Sequence, residues 1–255
     1  MTIRELNQFL TERVPTALSC TWDNDGLLCC PDPSRPVRRA LVALDVTEAV
    51  VDMTVRGGVD LVFTHHPLIF RPIKALTPNA CVPRKLLKLA GAGISAIALH
   101  TRLDALDGGV NDALADALDA PIIGRFVCED ALEGRIIRLS QPMTAEAFAA
   151  HIKAKLGTEA VNLADAGLPV QTVGLCGGEG GDFIFAAKAA GCDTYLTGRA
   201  GYHLMLDAAE SGINVIEAGH FATERPVCAR LRDLLSEADP SIEVEMYTEP
   251  GLKII

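Results

Sequence analysis

Apolar and polar positions repeat along this chain with two different periods, and each change of period marks an element. Ile3, Leu6, Phe9 and Leu10, with Arg4 and Glu5 among them, follow helical spacing. Short continuous apolar runs come next: Ala40 to Leu44, Leu61 to Phe63 after Gly57-Gly58, and Thr172 to Cys176. Runs of this length between glycine-containing turns predict buried strands. Helix-like stretches, Glu48 to Val55 and Phe183 to Ala190, lie between them.

The pattern occurs twice. Gly58-Val59-Asp60-Leu61-Val62-Phe63-Thr64 and Gly191-Cys192-Asp193-Thr194-Tyr195-Leu196-Thr197 place glycine, aspartate and threonine at the same offsets. Each copy is preceded by an apolar run and a helix, giving strand, helix, strand, twice over. Further on, Gly93-Ile94 through Leu99-His100 and Gly212-Ile213 through Gly219-His220 each end in histidine, with an acid four residues later, Asp104 and Glu224. The prediction is an α/β fold of two related domains, residues 1–123 carrying His65/His66 and His100/Asp104, and residues 124–255 carrying His220/Glu224. The bridge from Gly124 to Val170 reads as a strand over Ile136 to Leu139, a helix opening at Thr144 and an undefined return. Open α/β sheets bind ligands outside the carboxyl ends of their strands, so the site is expected in a cleft between the two domains.

The residues at those strand ends set the chemistry. Pro67 ends the run before it and holds His66 extended. Successive extended side chains point to opposite sides, so two metal ions in a groove would take His65 and His66 one each. His65, His66, His100, Asp104, His220 and Glu224 use four of the six histidines. Imidazole with carboxylate and no thiolate suits zinc, iron(II), manganese or cobalt. Two ions roughly 3.5–4 Å apart can share a water and lower its pKa, which is hydrolytic chemistry. Each residue taken singly also has a structural reading. The histidine pair can cap a strand, and His100 with Asp104 can be a core imidazole and a turn acid. Glu224 can face a helix dipole where a helix running to Leu235 opens.

Totals narrow the class. With 255 residues and 49% apolar content the chain can bury a large core. Net charge is -10 with no block of Lys and Arg, which excludes nucleic acid as an expected partner. No apolar stretch approaches the roughly 20 residues that span a bilayer, so no membrane partner is expected either. The helical start lacks a signal-peptide core, and the eight cysteines contain no C-x-x-C. Reduced thiols and a cytoplasmic location are the corresponding expectations.

Trp22-Asp23-Asn24-Asp25-Gly26-Leu27, Thr64-His65-His66-Pro67-Leu68-Ile69-Phe70, His100-Thr101-Arg102-Leu103-Asp104, Gly108-Gly109-Val110-Asn111-Asp112, Thr197-Gly198 with Tyr202-His203, and Gly219-His220 with Thr223-Glu224 follow in order. These blocks resemble the signatures of the GTP cyclohydrolase I type 2 homologues, also called Nif-three-like proteins. The resemblance implies two related α/β domains with a dinuclear centre between them, and a ring-shaped homo-oligomer, commonly a hexamer. It implies two divalent metal ions per chain (zinc, iron or manganese), held by His65, His66, Asp104, His220 and Glu224, with Glu224 as a bridge. His100 would orient a ligand or the water, and His100 or His203 would carry a proton. The implied function is a dinuclear metal-dependent hydrolase acting, through a metal-bridging water, on a small molecule that is a nucleotide or related heterocycle. The family name points to opening of the GTP ring. Two other readings compete: a metal chaperone or buffer, and a ring-shaped interaction scaffold without catalysis.

The chain departs from the family pattern by charge at Asp25, Glu179 and Arg199. Gly177-Gly178-Glu179-Gly180-Gly181 has the strand-to-helix context of a phosphate cradle, opposed by Glu179 and Asp182, or is a flexible turn. Arg199 is a candidate contact for an anionic substrate. Trp22 is expected to be a packing anchor, Asp23 and Asn24 to build a turn, and His151 to lie on a helix surface. Tyr202 and His203 either line the cleft or open a helix.

Overall fold

A computed structural model describes residues 1–129 and 132–252. The chain runs α1 (Ile3–Arg13), β1 (Gly26–Cys29), β2 (Arg39–Ala43), α2 (Glu48–Gly57), β3 (Leu61–Thr64), α3 (Cys81–Gly91), β4 (Ser95–Ala98) and α4 (Thr101–Ala105). It continues through α5 (Val110–Ala117), β5 (Ile122–Glu129), β6 (Leu132–Met143), α6 (Ala145–Leu156), β7 (Asn162–Ala164) and β8 (Val170–Cys176). Then come α7 (Ile184–Ala189), β9 (Thr194–Thr197), α8 (Tyr202–Glu210), β10 (Asn214–Glu217) and α9 (His220–Glu224). Last are α10 (Val227–Ala238) and β11 (Glu243–Tyr247). No helix among the described residues is long and apolar enough to cross a membrane.

These elements form two compact α/β units. The first joins Met1–Leu106 to Val227–Gly251, and the second is built on Asp107–Pro226. This differs from the expected division after residue 123. β11 pairs in parallel with β2, Val244 opposite Ala40, so the end of the chain returns to the first sheet. α5, expected in the first domain, packs with its buried Leu114 and Ala115 in the core of the second.

In the first unit the strand order is β1-β4-β3-β2-β11. β2, β3 and β4 are parallel, and β1 closes one edge antiparallel. Leu41, Val62 and Ala96 of the sheet pack with Val50 and Val51 of α2 and Leu89 of α3. The second sheet runs β5-β6-β8-β9-β10-β7, with β8, β9 and β10 parallel. β6 pairs antiparallel with both β5 and β8. Strand β6 contains the expected Ile136-to-Leu139 run, and α6 opens with Thr144 accepting a hydrogen bond from the Ala147 N–H.

The sequence repeat is a repeat of hydrogen bonds. In the first unit the Asp60 carboxylate accepts from the N–H groups of Arg38 and Arg39, at 2.9 and 3.1 Å. In the second, the Asp193 carboxylate accepts from Gln171 and Thr172, at 3.1 and 2.8 Å. The backbone matches too: Asp60 N–H donates to Arg39 and Ser95 N–H to Asp60, as Asp193 donates to Thr172 and Asn214 to Asp193. Each aspartate pins the start of its strand to the strand before it, which fixes where β3 and β9 end.

Candidate metal centre

β3 ends at Thr64, and the chain turns there because the Thr64 hydroxyl donates to the carbonyl of His66, 2.8 Å away. His65 is fully buried there and His66 partly buried. β4 ends two residues before His100, which precedes the short helix α4. The three imidazoles lie together, with ring centroids 4.8 Å (His65–His66), 5.3 Å (His65–His100) and 5.6 Å (His66–His100) apart. One nitrogen from each falls within 4.8 Å of the others. On α4, Asp104 Oδ1 stands 3.6 Å from His65 Nε2.

Each ring is anchored through the same nitrogen. His65 Nδ1 is 3.0 Å from the Leu99 carbonyl, His66 Nδ1 is 2.7 Å from Asp45, and His100 Nδ1 is 2.8 Å from Asp23. A carbonyl or carboxylate can only accept, so Nδ1 must donate in all three and the neutral rings carry their lone pair on Nε2. Metal-binding histidines are ordinarily oriented in this way by the groups behind them. The set fits a divalent ion of the zinc, iron(II), manganese or cobalt kind, with nitrogen and carboxylate donors and no thiolate.

Sequence reasoning missed the two acids that do this. Asp45 directly follows the apolar run ending at Leu44, an acid at a strand end that could have been flagged. Asp23, expected to shape a turn, closes one by donating its N–H to the Cys20 carbonyl, and its carboxylate also accepts from His100 Nδ1, Thr101 N–H and Thr101 Oγ1. Burial pushes its carboxyl up, but the hydrogen bonds from His100 and Thr101 outweigh burial and hold it well below the ordinary carboxylate range. The charge at Asp25 has a partner in the same segment. Arg102 Nε and Nη2 reach its two oxygens at 2.7 and 2.8 Å, both side chains are buried, and Asp25 also accepts from the His100 N–H.

The second unit holds His220 and Glu224 one turn apart on α9, with Nε2 and Oε2 2.9 Å from each other. Glu224 is 5% exposed. Gly219 precedes them at φ +90°, a conformation side chains rarely adopt. The loop Gly177 to Gly181 makes room for the carboxylate: a Cβ on Gly178 would collide with Glu224 Oε1 and stand 3.3 Å from His220 Nε2. Three of its five N–H groups are committed. Gly177 donates to Asn111 Oδ1 (2.9 Å), Gly178 to Thr223 Oγ1 (3.1 Å) and Gly180 to Thr197 Oγ1 (3.1 Å). Gly177 and Gly178 therefore serve close packing around Glu224, and the phosphate-cradle reading loses three of its donors.

Arg199 and Glu179, two departures from the family pattern, face each other at 3.6 Å and are both exposed. His203 begins α8 exposed, its ring edge-on to Tyr202 at 5.4 Å, and belongs to no metal-capable group among the described residues. His151 stacks on Phe148. Trp22 is not the packing anchor expected; it is 51% exposed.

Comparison with known proteins places this geometry. A "GTP cyclohydrolase 1 type 2 homolog" from Clostridium perfringens is 31% identical over 242 residues, covering 93% of this chain and 92% of that protein. A "Protein NIF3 homolog" from Schizosaccharomyces pombe is 35% identical over 223 residues, covering 82% and 79%. The crystal structure of a Staphylococcus aureus hypothetical protein superposes with a TM-score of 0.90 at 28% identity, covering 100% of this chain and 99% of that one. The profile of Duf34/NIF3 (NGG1p interacting factor 3) matches residues 1–250, and the chain belongs to that family.

Proposed function

We propose that this chain is a divalent-metal-dependent hydrolase acting on a nucleotide or a related heterocycle. The observation that carries the reading is the triple anchoring of His65, His66 and His100 through Nδ1, which prepares three Nε2 lone pairs in one place beside Asp104. A structural loop needs no such arrangement. His65, His66, Asp104, His220 and Glu224 would hold a pair of divalent ions, which would supply polarisation of a water and of the group it attacks. The relatives' printed name, GTP cyclohydrolase 1 type 2 homolog, supports a ring-opening hydrolysis.

The protein's own residues do the positioning. Asp45 and the Leu99 carbonyl fix the tautomers of His66 and His65, and Asp23 fixes that of His100 by accepting its Nδ1 proton. His100 is the candidate for moving a proton at the reacting centre, with His203 a second candidate from α8. A small-molecule substrate and a homohexameric ring are part of this proposal.

Metal analysis by mass spectrometry on protein purified without chelator or affinity tag tests it, alongside His65→Ala and Glu224→Ala and a hydrolysis screen over a nucleotide panel. About two equivalents per chain, falling in both variants together with metal-dependent turnover, is the expected result. Full metal occupancy with no turnover on any nucleotide would favour a metal buffer. Less than half an equivalent, unchanged in the variants and not restored by zinc, iron(II) or manganese, would overturn the hydrolase.

A further inference from the structure

Trp22 is the only tryptophan in the chain. It is half exposed, and so is Phe70, at 47%. Large aromatic rings left in water beside a donor cluster are unusual enough to need a reason. Their rings and the imidazole of His100 form a nearly equilateral triangle, with centroid distances of 6.0 Å (Trp22–Phe70), 6.2 Å (Trp22–His100) and 6.0 Å (Phe70–His100). The planes meet at 76°, 74° and 88° in the same order. Three mutually steep planes make a corner. A flat ring laid against one wall meets the other two edge-on, and the quadrupoles of aromatic rings favour both contacts.

The corner is set before anything enters it. Asp23, next to Trp22, accepts the Nδ1 proton of His100, and the side-chain amide of Asn24 donates to the carbonyl of Ile69, next to Phe70. Every wall is thus tied through a neighbouring residue to another wall, which lowers the ordering cost of binding. The third wall is also part of the donor cluster, since His100 lies 5.3 and 5.6 Å from His65 and His66. A ring seated against Trp22 and Phe70 is held beside those donors.

We infer that Trp22, Phe70 and His100 form the recognition corner for the planar aromatic ring of the substrate, and that Trp22 and Phe70 determine specificity for a ring over an aliphatic phosphoester. This deepens the hydrolase reading and rests on it for the reaction the ring undergoes. The ring site itself is tested without turnover, because Trp22 is its own fluorescent reporter. Guanosine and uridine 5′-monophosphates, titrated into the metal-loaded protein, should quench Trp22 emission saturably. Ribose 5-phosphate, which lacks the ring, should not. Phe70→Ala by fluorescence and Trp22→Ala by calorimetry should each raise Kd for the nucleotides about tenfold, while Trp22→Phe stays within about threefold of wild type. Metal content should be unchanged in all three.

Equal binding of ribose 5-phosphate and the nucleotides, or no binding of either nucleotide, would overturn the corner. So would unaltered nucleotide binding in Trp22→Ala and Phe70→Ala accompanied by a smaller sedimenting species, which would assign the rings to contact with a second copy. The two proposals fail separately: lost metal and turnover with intact ring-dependent quenching sinks the hydrolase, and intact metal and turnover without it sinks the corner.

Discussion

The strands ending at Thr64 and Thr197 are held at their starts by the same aspartate bonds, yet they continue into opposite chemistry. The first runs into His65-His66, the second into Gly198-Arg199. Where the first copy buries an imidazole, the second has backbone packed so closely that a Cβ on Gly198 would lie 2.5 Å from Thr223 Oγ1, 2.6 Å from the Gly178 carbonyl and 2.8 Å from His220 Cα. In the short helix after the next strand, Arg102 in the first copy corresponds to Ala222 in the second. The frame is conserved between the copies because it is made of backbone bonds. The donors diverge because each copy closes the space beyond its strand end with different side-chain volume.

The comparison breaks most visibly at Arg102. Arg102→Ala gives the first copy the small residue of the second and strands the buried Asp25 carboxylate, so urea unfolding should show a loss of about 3–5 kcal/mol. Most of that loss should return in Arg102→Ala with Asp25→Ala; no recovery would mean that packing of the guanidinium, not the ion pair, sets the cost. Gly198→Ala should be next, losing about 3 kcal/mol and several degrees of Tm through overpacking against backbone that cannot yield. A neutral melt would show that Thr223 and His220 have room to shift.

Asp60→Asn and Asp193→Asn sharpen the shared part of the comparison. Each should lose about 1–2 kcal/mol, by similar amounts, if the two aspartates do the same work. For Asp60 the pH dependence is also defined. Burial pushes its carboxyl up, but the hydrogen bonds from the Arg38 and Arg39 N–H groups and from Arg35 lower it overall. Its contribution is therefore present above the unfolded value of about 3.9 and is lost as pH falls through the lowered folded value. The deficit of Asp60→Asn against wild type should shrink in melts taken below about pH 4. The smallest effect belongs to the exposed pair: Glu179→Gln should change stability by less than about 0.5 kcal/mol, and a larger loss would give the Glu179–Arg199 contact a structural role it lacks here.

The repeat was legible in sequence because strand starts and ends depend on local pattern: Gly-x-Asp before an apolar run, histidine after it. The candidate histidines could be read for the same reason, since His65, His100 and His220 each follow a run, whereas Asp104 and Glu224 were read only from their place four residues after a histidine. What orients them was not. Asp23 lies 77 positions from His100, and nothing local to either residue announces the bond between them. Trp22 read as a packing anchor because a large apolar side chain usually is one, and only its three-dimensional placement edge-on to Phe70 and His100 shows it half exposed. The division after residue 123 missed the return of β11, a short alternating strand whose partner β2 lies about two hundred residues earlier.

That return has a consequence for how the protein comes off the ribosome. The sheet of the first unit needs a strand that is synthesised only after the second unit, so most of the first unit emerges earlier and waits with the outer edge of β2 unpaired. The inserted unit carries all six of its strands in one stretch of chain. Synthesis from the amino end normally favours the first domain to emerge; here the order of completion is inverted, and the segment in the middle of the gene is the first to have everything it needs to fold.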